Sequence, residues 1–347
     1  MAKLIGTDPN QVPTNADLGT MAYQDYDVVD KEFRNSRPNL IINGDFQVWQ
    51  RSDNAYTSAN GYVSADRYKT TRGRIRKPNT NGNSGEDDRG AIFDTTDGSV
   101  FVHYDYFVED VGQKLSGKKA VLSFEYKAIS PASFGLYMEN ASSSGYGRLD
   151  LGANITLTAK NYEWRKAVLV GTITYDGSGE YFRLPRWYIN PTGGNSGQNL
   201  QIDKVKLELV EDGYENATPF ISKPYHEELA ACQRYYQRYT ESGSSNYGPT
   251  IGYGTFNGSA GATTSEVVSV FQFPVAMRTG PDFAFSNLAH FDLEPFDHTI
   301  TALETFSHSS PFFHTIKAVS STARETGFVG FICMDSANGW FEFDAEL

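Results

Sequence analysis

The chain has 347 residues, 14% of them aromatic and 32 of them glycine, with 42 acidic against 30 basic side chains for a formal charge of -12. That balance excludes a surface drawn nonspecifically to nucleic acid or anionic lipid, which needs an excess of Lys and Arg. No run of apolar residues reaches the length of a membrane span, so no membrane insertion is expected.

Four segments follow in chain order. Residues 1–38 hold Pro9, Pro13 and Pro38 among Asn, Asp and Gly, show no sustained periodicity and lack the apolar core of a signal peptide. Leu18, Met21, Tyr23 and Tyr26 make this segment too apolar for a mere spacer, so it reads as an extended arm that orders on a partner. From residue 39 to 225 short alternating strands take over. "KKAVLSFEYKAI" sets Leu122, Phe124, Tyr126 and Ala128 against Val121 and Ser123, and "EWRKAVLVGTITY" and "EYFRLPRWYIN" follow between Gly/Asn/Ser turns. "LQIDKVKLELV" slips phase by one residue at Asp203-Lys204, which predicts a bulge. Strands of this number and spacing predict a jelly-roll β-sandwich.

Residues 226–245 contain "HEELAACQRYYQRYTE", the one convincing helical stretch. Leu229, Cys232, Tyr236 and Tyr239 recur at spacings of 3, 4 and 3, a seam that either packs on the sandwich or forms the neck of an oligomer. Residues 246–347 return to strands. "EVVSVFQFPVAM" stops at Pro274, and "GFVGFICMDSANGWFEFDAEL" reads as a hairpin turning at Asn338-Gly339. The fold class is therefore all-β: an N-terminal extended arm, a jelly-roll sandwich, a short helical linker and a second, C-terminal β-sandwich.

Catalytic signatures are missing. "GYGTFNGSAG" lacks the Gly-Lys-Ser/Thr of a phosphate loop, and neither Gly-x-Ser-x-Gly nor HExxH occurs. Cys232 and Cys333 have no neighbouring His and read as buried small hydrophobes, their scarcity favouring a reducing compartment. His290, His298, His308 and His314 match no ligand spacing. "RYKTTRGRIRK" (67–77) is locally basic, either a solvated strand face or a contact for an anionic glycan. Trp187 and Tyr188 fall on opposite faces of one strand, so one is core and the other is a candidate stacking platform for a sugar ring.

Four stretches carry a family resemblance: "LIGTDPNQVPTNADLGTMAYQD", "NLIINGDFQVWQR" with "SADRY", "ATPFISKPYHEELAACQRYYQRY" and "FPVAMRTGPDF". In this order they resemble segments of tail-fibre and receptor-binding proteins of tailed bacteriophages, over nearly the whole chain. The opening strand and "LQIDKVKLELV" also resemble the first and last strands of jelly-roll carbohydrate-binding modules. That second likeness implies a structural calcium, with Asp45 and Asp203 at the matching positions. The resemblance implies a homotrimeric virion protein made in the host cytoplasm. Its arm would dock on other tail or baseplate proteins through Leu18, Met21, Tyr23 and Tyr26, and its domains would meet host cell-surface glycan without catalysis. The alternatives are a structural connector without glycan affinity and a polysaccharide depolymerase.

Overall fold

The structure, a computed structural model, describes residues 36–52, 56–57, 61–71, 73–78, 85–94, 102–109, 115–129, 134–140, 147–175, 181–189, 199–211, 215–240, 250–256, 263–294, 298–327, 329–334, 336 and 338–346. The proposed docking residues Leu18, Met21, Tyr23 and Tyr26, and His308 and its side chain, lie outside what is described at side-chain level.

Among the described residues the chain is all-β with one α-helix, Tyr225–Gln233. The strands Gly73–Arg76, Ala91–Asp94, Asn199–Val210, Lys119–Ala128 and Arg165–Thr174 are neighbours in one layer of the jelly-roll sandwich. The second layer holds Tyr68–Thr71, Val102–Glu109, Arg186–Ile189, Phe134–Glu139 and Ile155–Ala159. Val102–Glu109 joins the layers: along one edge its first half pairs with Arg186–Ile189 and its last residues pair with Tyr181–Arg183, which in turn pairs with Gly147–Asp150 of the first layer. Alternation places Leu122, Phe124, Leu169, Leu207, Leu136 and Met138 in the shared core. Phe124 meets Trp187 edge-on at 5.9 Å across it.

The expected bulge is present. The pairing of Asn199–Val210 with Lys119–Ala128 shifts between Asp203 and Lys206, and Lys204 takes φ 54°. This bulge locks the start of the domain. Asn39 accepts from Leu207 N at 2.9 Å and donates to Val205 O at 3.0 Å, and Val205 N donates to Gly44 O at 2.7 Å. A Cβ on Gly44 would sit 2.2 Å from Val205 O, so only glycine allows this approach. Asn43 (φ 60°) closes the turn through its amide, bonding Val48 N and Val48 O at 2.9 Å each.

In the C-terminal unit the strands Thr250–Phe256, Thr263–Gln272, Phe313–Glu325, His298–Ser309, Phe291–Glu294 and Val329–Met334 hydrogen-bond around into a closed barrel. A three-stranded sheet, Tyr236–Thr240, Trp340–Asp344 and Asp282–Phe285, packs on it through Phe271, Phe283, Phe341 and Phe343. Two expectations are corrected here. The helix ends at Gln233, and Tyr236 and Tyr239 lie on a strand, so Leu229, Cys232, Tyr236 and Tyr239 form no helical neck. Tyr239 instead stacks on Phe341 at 4.9 Å inside the C-terminal unit. Asn338-Gly339 makes no hairpin, because the flanking strands enter different sheets.

The two units meet through buried charge. The Arg51 guanidinium lies 3.5 Å from the Tyr236 ring centroid and bonds Asp344 at 2.9 Å. Arg67, 1% exposed and at φ 75°, covers the Tyr235 ring at 3.5 Å, pairs with Glu346 and donates to Phe107 O at 2.8 Å. Asp66 accepts from Gln50 N and Nε2 at 3.3 and 2.6 Å, and the same Gln50 amide reaches Tyr236 O at 2.9 Å. Three arginines of the basic run at 67–77 are paired internally: Arg67 as above, Arg76 with Glu86 at 2.5 Å, and Arg74 with Asp94, while Lys77 is exposed.

Removing one partner of such a pair strands the other charge without water. Glu346→Ala is expected to cost about 3–5 kcal/mol in urea unfolding, far more than an exposed pair such as Lys119–Glu215 removed by Glu215→Ala. Burial pushes the Asp66 carboxyl up to about 7, against the pull of Arg51 and Gln50. A carboxyl whose pKa rises on folding holds its proton more tightly when native. Its contribution is greatest below the unfolded value of about 4 and is lost as pH rises through about 7. The unfolding midpoint of the wild type should therefore fall between pH 5 and 8 relative to Asp66→Asn; parallel pH profiles would contradict that assignment.

Candidate glycan-binding face and an adjoining cleft

The strand Arg186–Ile189 resolves the Trp187/Tyr188 alternative. Trp187 is 1% exposed in the core, so it is no ligand contact; Tyr188, on the opposite face, is itself buried at 8% exposed, and its ladder neighbour Tyr137 is the more open ring. The two rings meet edge-to-face at 5.8 Å. Around this pair the polar groups form one connected network. Tyr188 Oη donates to Glu139 at 2.8 Å, and Arg186 reaches the same carboxylate at 3.3 Å. Asn154 donates to Tyr137 Oη at 2.5 Å and accepts from Asn140 N at 2.9 Å. Asn140 donates to Asp150 at 2.6 Å, and Arg148 bonds the other Asp150 oxygen at 2.9 Å.

The electrostatics follow from these contacts. Burial, then donation to Glu139, pushes the Tyr188 hydroxyl up to about 12, so it remains a donor at neutral pH. The Asn140 amide and the Gly152 N–H hold Asp150 below the usual carboxylate range, so it remains an acceptor. The strands hold Arg148, Asp150, Tyr137, Glu139, Arg186 and Tyr188, and Asn140, Gly152 and Asn154 lie in the segments that follow or connect them. Aromatic faces for C–H surfaces and fixed donors and acceptors for hydroxyls are what a sugar requires.

Asp45 and Asp203 do come together, lining a cleft of about 530 Å³ beside the bulge, with Phe46, Trp49, Lys77, Asp88, Arg89 and Lys204. The donor set does not fit calcium. Asp203 accepts from Arg89 at 3.2 Å, and Asp45 accepts from Gln47 at 2.6 Å. Three cations line the same walls, and no group of three His, Cys, Asp or Glu side chains among the described residues is placed to hold a metal. Trp164, next to this region, is covered by Arg89 at 3.9 Å and donates to Asp87.

The described histidines serve locally. His314 bonds Thr305 and Ser309 at 3.0 and 3.1 Å, His298 bonds Ser320 at 3.2 Å, and His290 bonds Ser286 at 2.9 Å. Cys232 and Cys333 are both buried, and Cys333 Sγ lies 3.6 Å from Asp292 O. Sequence reasoning missed Tyr137, Glu139, Arg186 and Asn154. The first two alternate with core residues in "SFGLYMEN", and that alternation was the available signal.

No protein-family description and no curated protein matches the chain. Solved structures that do align include a family 16 carbohydrate-binding module, 14% identical over 50% of this chain and 100% of that one, with a TM-score of 0.27. A family 11 carbohydrate-binding module of a cellulosomal cellulase from Clostridium thermocellum is 12% identical over 50% and 97%, with a TM-score of 0.26. The enzymatically active domain of tailspike protein 4 of bacteriophage CBA120 is 13% identical over 50% of this chain and 21% of that one, with a TM-score of 0.29. At these levels none lends this chain a residue role, and the fold stands on its own strand pairing.

Proposed function

We propose that this protein is a receptor-binding component of a phage tail that adheres to host surface glycan through the Tyr137–Tyr188 face. The observation that carries the reading is a pair of hydrogen-bonded chains, Arg186–Glu139–Tyr188 and Tyr137–Asn154–Asn140, joined by the Tyr137–Tyr188 ring contact on two paired strands and the segments that flank them. Preorganised donors and acceptors beside an aromatic ring bind a sugar with little ordering cost. The motif order of the sequence favours the tail setting, with the arm docked on other tail proteins and three copies of the chain per assembly. Weak single contacts then multiply by avidity.

Adhesion is favoured over hydrolysis by the state of the acids on this face. Glycoside cleavage needs one carboxyl kept protonated beside one kept ionised. Asp150 is held ionised, and Glu139 is occupied by the Tyr188 hydroxyl and Arg186.

Binding of the full chain to a bacterial-glycan array, followed by calorimetry on any hit, tests the assignment. Tyr137→Ala and Arg186→Ala should each weaken binding at least tenfold, about 1.4 kcal/mol. Asp88→Ala, an exposed change at the cleft, should leave affinity unchanged. Binding lost in Asp88→Ala but kept in Tyr137→Ala would move the site to the cleft. No glycan affinity in any format, with binding to tail proteins retained, would make the chain a connector.

A further inference from the structure

The outward side of the first jelly-roll layer carries an apolar pair that its surroundings leave uncovered. Val168 is 44% exposed and Val170 is 37% exposed, while Ala167 and Leu169 between them face the core. Their strand is also open at one edge over the same stretch. Lys119–Ala128 pairs with residues 165–172 on one side, whereas on the other side Gly147–Asp150 pairs only with 172–174. Among the described residues, then, 165–171 present both an apolar face and an unpaired ladder edge, which invites an extended segment.

The position where the described chain begins identifies the occupant. Ser36 is held on this same outward side: Lys206 Nζ donates to its hydroxyl at 3.3 Å, and that hydroxyl donates to Pro219 O at 3.2 Å. Arg37 N donates to Thr218 Oγ1 at 3.3 Å. Lys206 stands opposite Ser123, and Ser123 opposite Val168, so the valines lie two strand spacings away, about 10 Å. Glu208, Val121 and Val170 form the parallel row. Residues 28–33 precede Ser36 by three to eight positions, a reach of up to about 10–27 Å when extended.

Composition and charge agree with that reach. Residues 27–33 read "DVVDKEF", with Val29 and Phe33 on one side of an extended segment for the apolar pair and Asp27, Asp30 and Glu32 against the single Lys31. On the receiving side Lys166 is exposed and has no carboxylate partner among the described residues, and the charges of Lys166 and Arg37 both bear on the Lys206 ammonium. The acids of this face already have cations: Glu208 has Lys206, Glu215 has Lys119, and Glu125 has Arg89 and Lys204.

We propose that residues 27–33 of the same chain dock across this face, covering Val168 and Val170 with Val29 and Phe33, which share one side of an extended segment. The segment assigned to tail docking ends at Tyr26, so the two contacts do not compete. Docking here aims the arm away from the sandwich in a fixed direction, and the inference does not rest on the glycan reading.

Hydrogen exchange on the full chain tests it, with Val28→Asp/Val29→Asp as the perturbation, since these positions precede both β units. Amides of 165–171 should be protected in the wild type and exchange at least fivefold faster in the double variant, with those of the barrel unchanged. In a second measurement Val29→Cys and Val170→Cys are combined; Cys232 and Cys333 are buried and do not compete. Mild oxidation should give a cross-link within one chain. Unchanged exchange in the double variant would overturn the proposal. So would a cross-link found only between chains, which would assign the covering segment to a second copy.

Discussion

Two arginines, Arg51 and Arg67, are buried against the rings of Tyr236 and Tyr235 and joined to Asp344 and Glu346. Taking a guanidinium out of water costs several kcal/mol, and only close, well-directed partners offset it. The constraint is therefore strict: the jelly-roll, the helix Tyr225–Gln233 and the last strand must hold fixed relative positions or the charges are stranded. Left-handed backbone at Asn43, Phe46 and Arg67 marks the same region, each costing about 1–3 kcal/mol that the surrounding contacts must outweigh.

This junction gives physical meaning to the stretches that carry the family resemblance. "NLIINGDFQVWQR" supplies Gln50 and Arg51, "SADRY" supplies Asp66 and Arg67, and "CQRYYQRY" supplies Tyr235 and Tyr236. In "FPVAMRTGPDF", Arg278 donates to Ala345 O at 3.1 Å. These segments, the resemblance stretches that fall within the described residues, meet in space as an architectural joint between two β units. They say how the chain is assembled and leave its ligand unspecified. The candidate ligand face, on the strands of Tyr137 and Tyr188, lies outside all of them.

What the sequence made legible was local. Period-two alternation placed the sandwich core, separated Trp187 from Tyr188, and located the bulge at Asp203-Lys204. It failed where a short pattern fits two periods: Tyr236 and Tyr239 sit at helical spacing, but aromatic residues also suit strands, and pairing with Trp340–Asp344 decided the matter. Asn338-Gly339 signalled a reversal of the chain but could not say into which sheet it leads. Barrel closure pairs residues such as Thr250 and Cys333, and Arg67 pairs with Glu346 at a separation of 279 positions; nothing in a local window encodes either. The network around Tyr137 was half legible, since alternation turns Tyr137 and Glu139 outward, but their partners come from other strands.

The central claim is that buried charge makes one cooperative body of the two β units. Scanning calorimetry of the full chain measures this directly. The account predicts a single transition whose calorimetric and van't Hoff enthalpies agree, splitting into two when Glu346 is replaced by Ala. Two separate transitions already present in the wild type would contradict it.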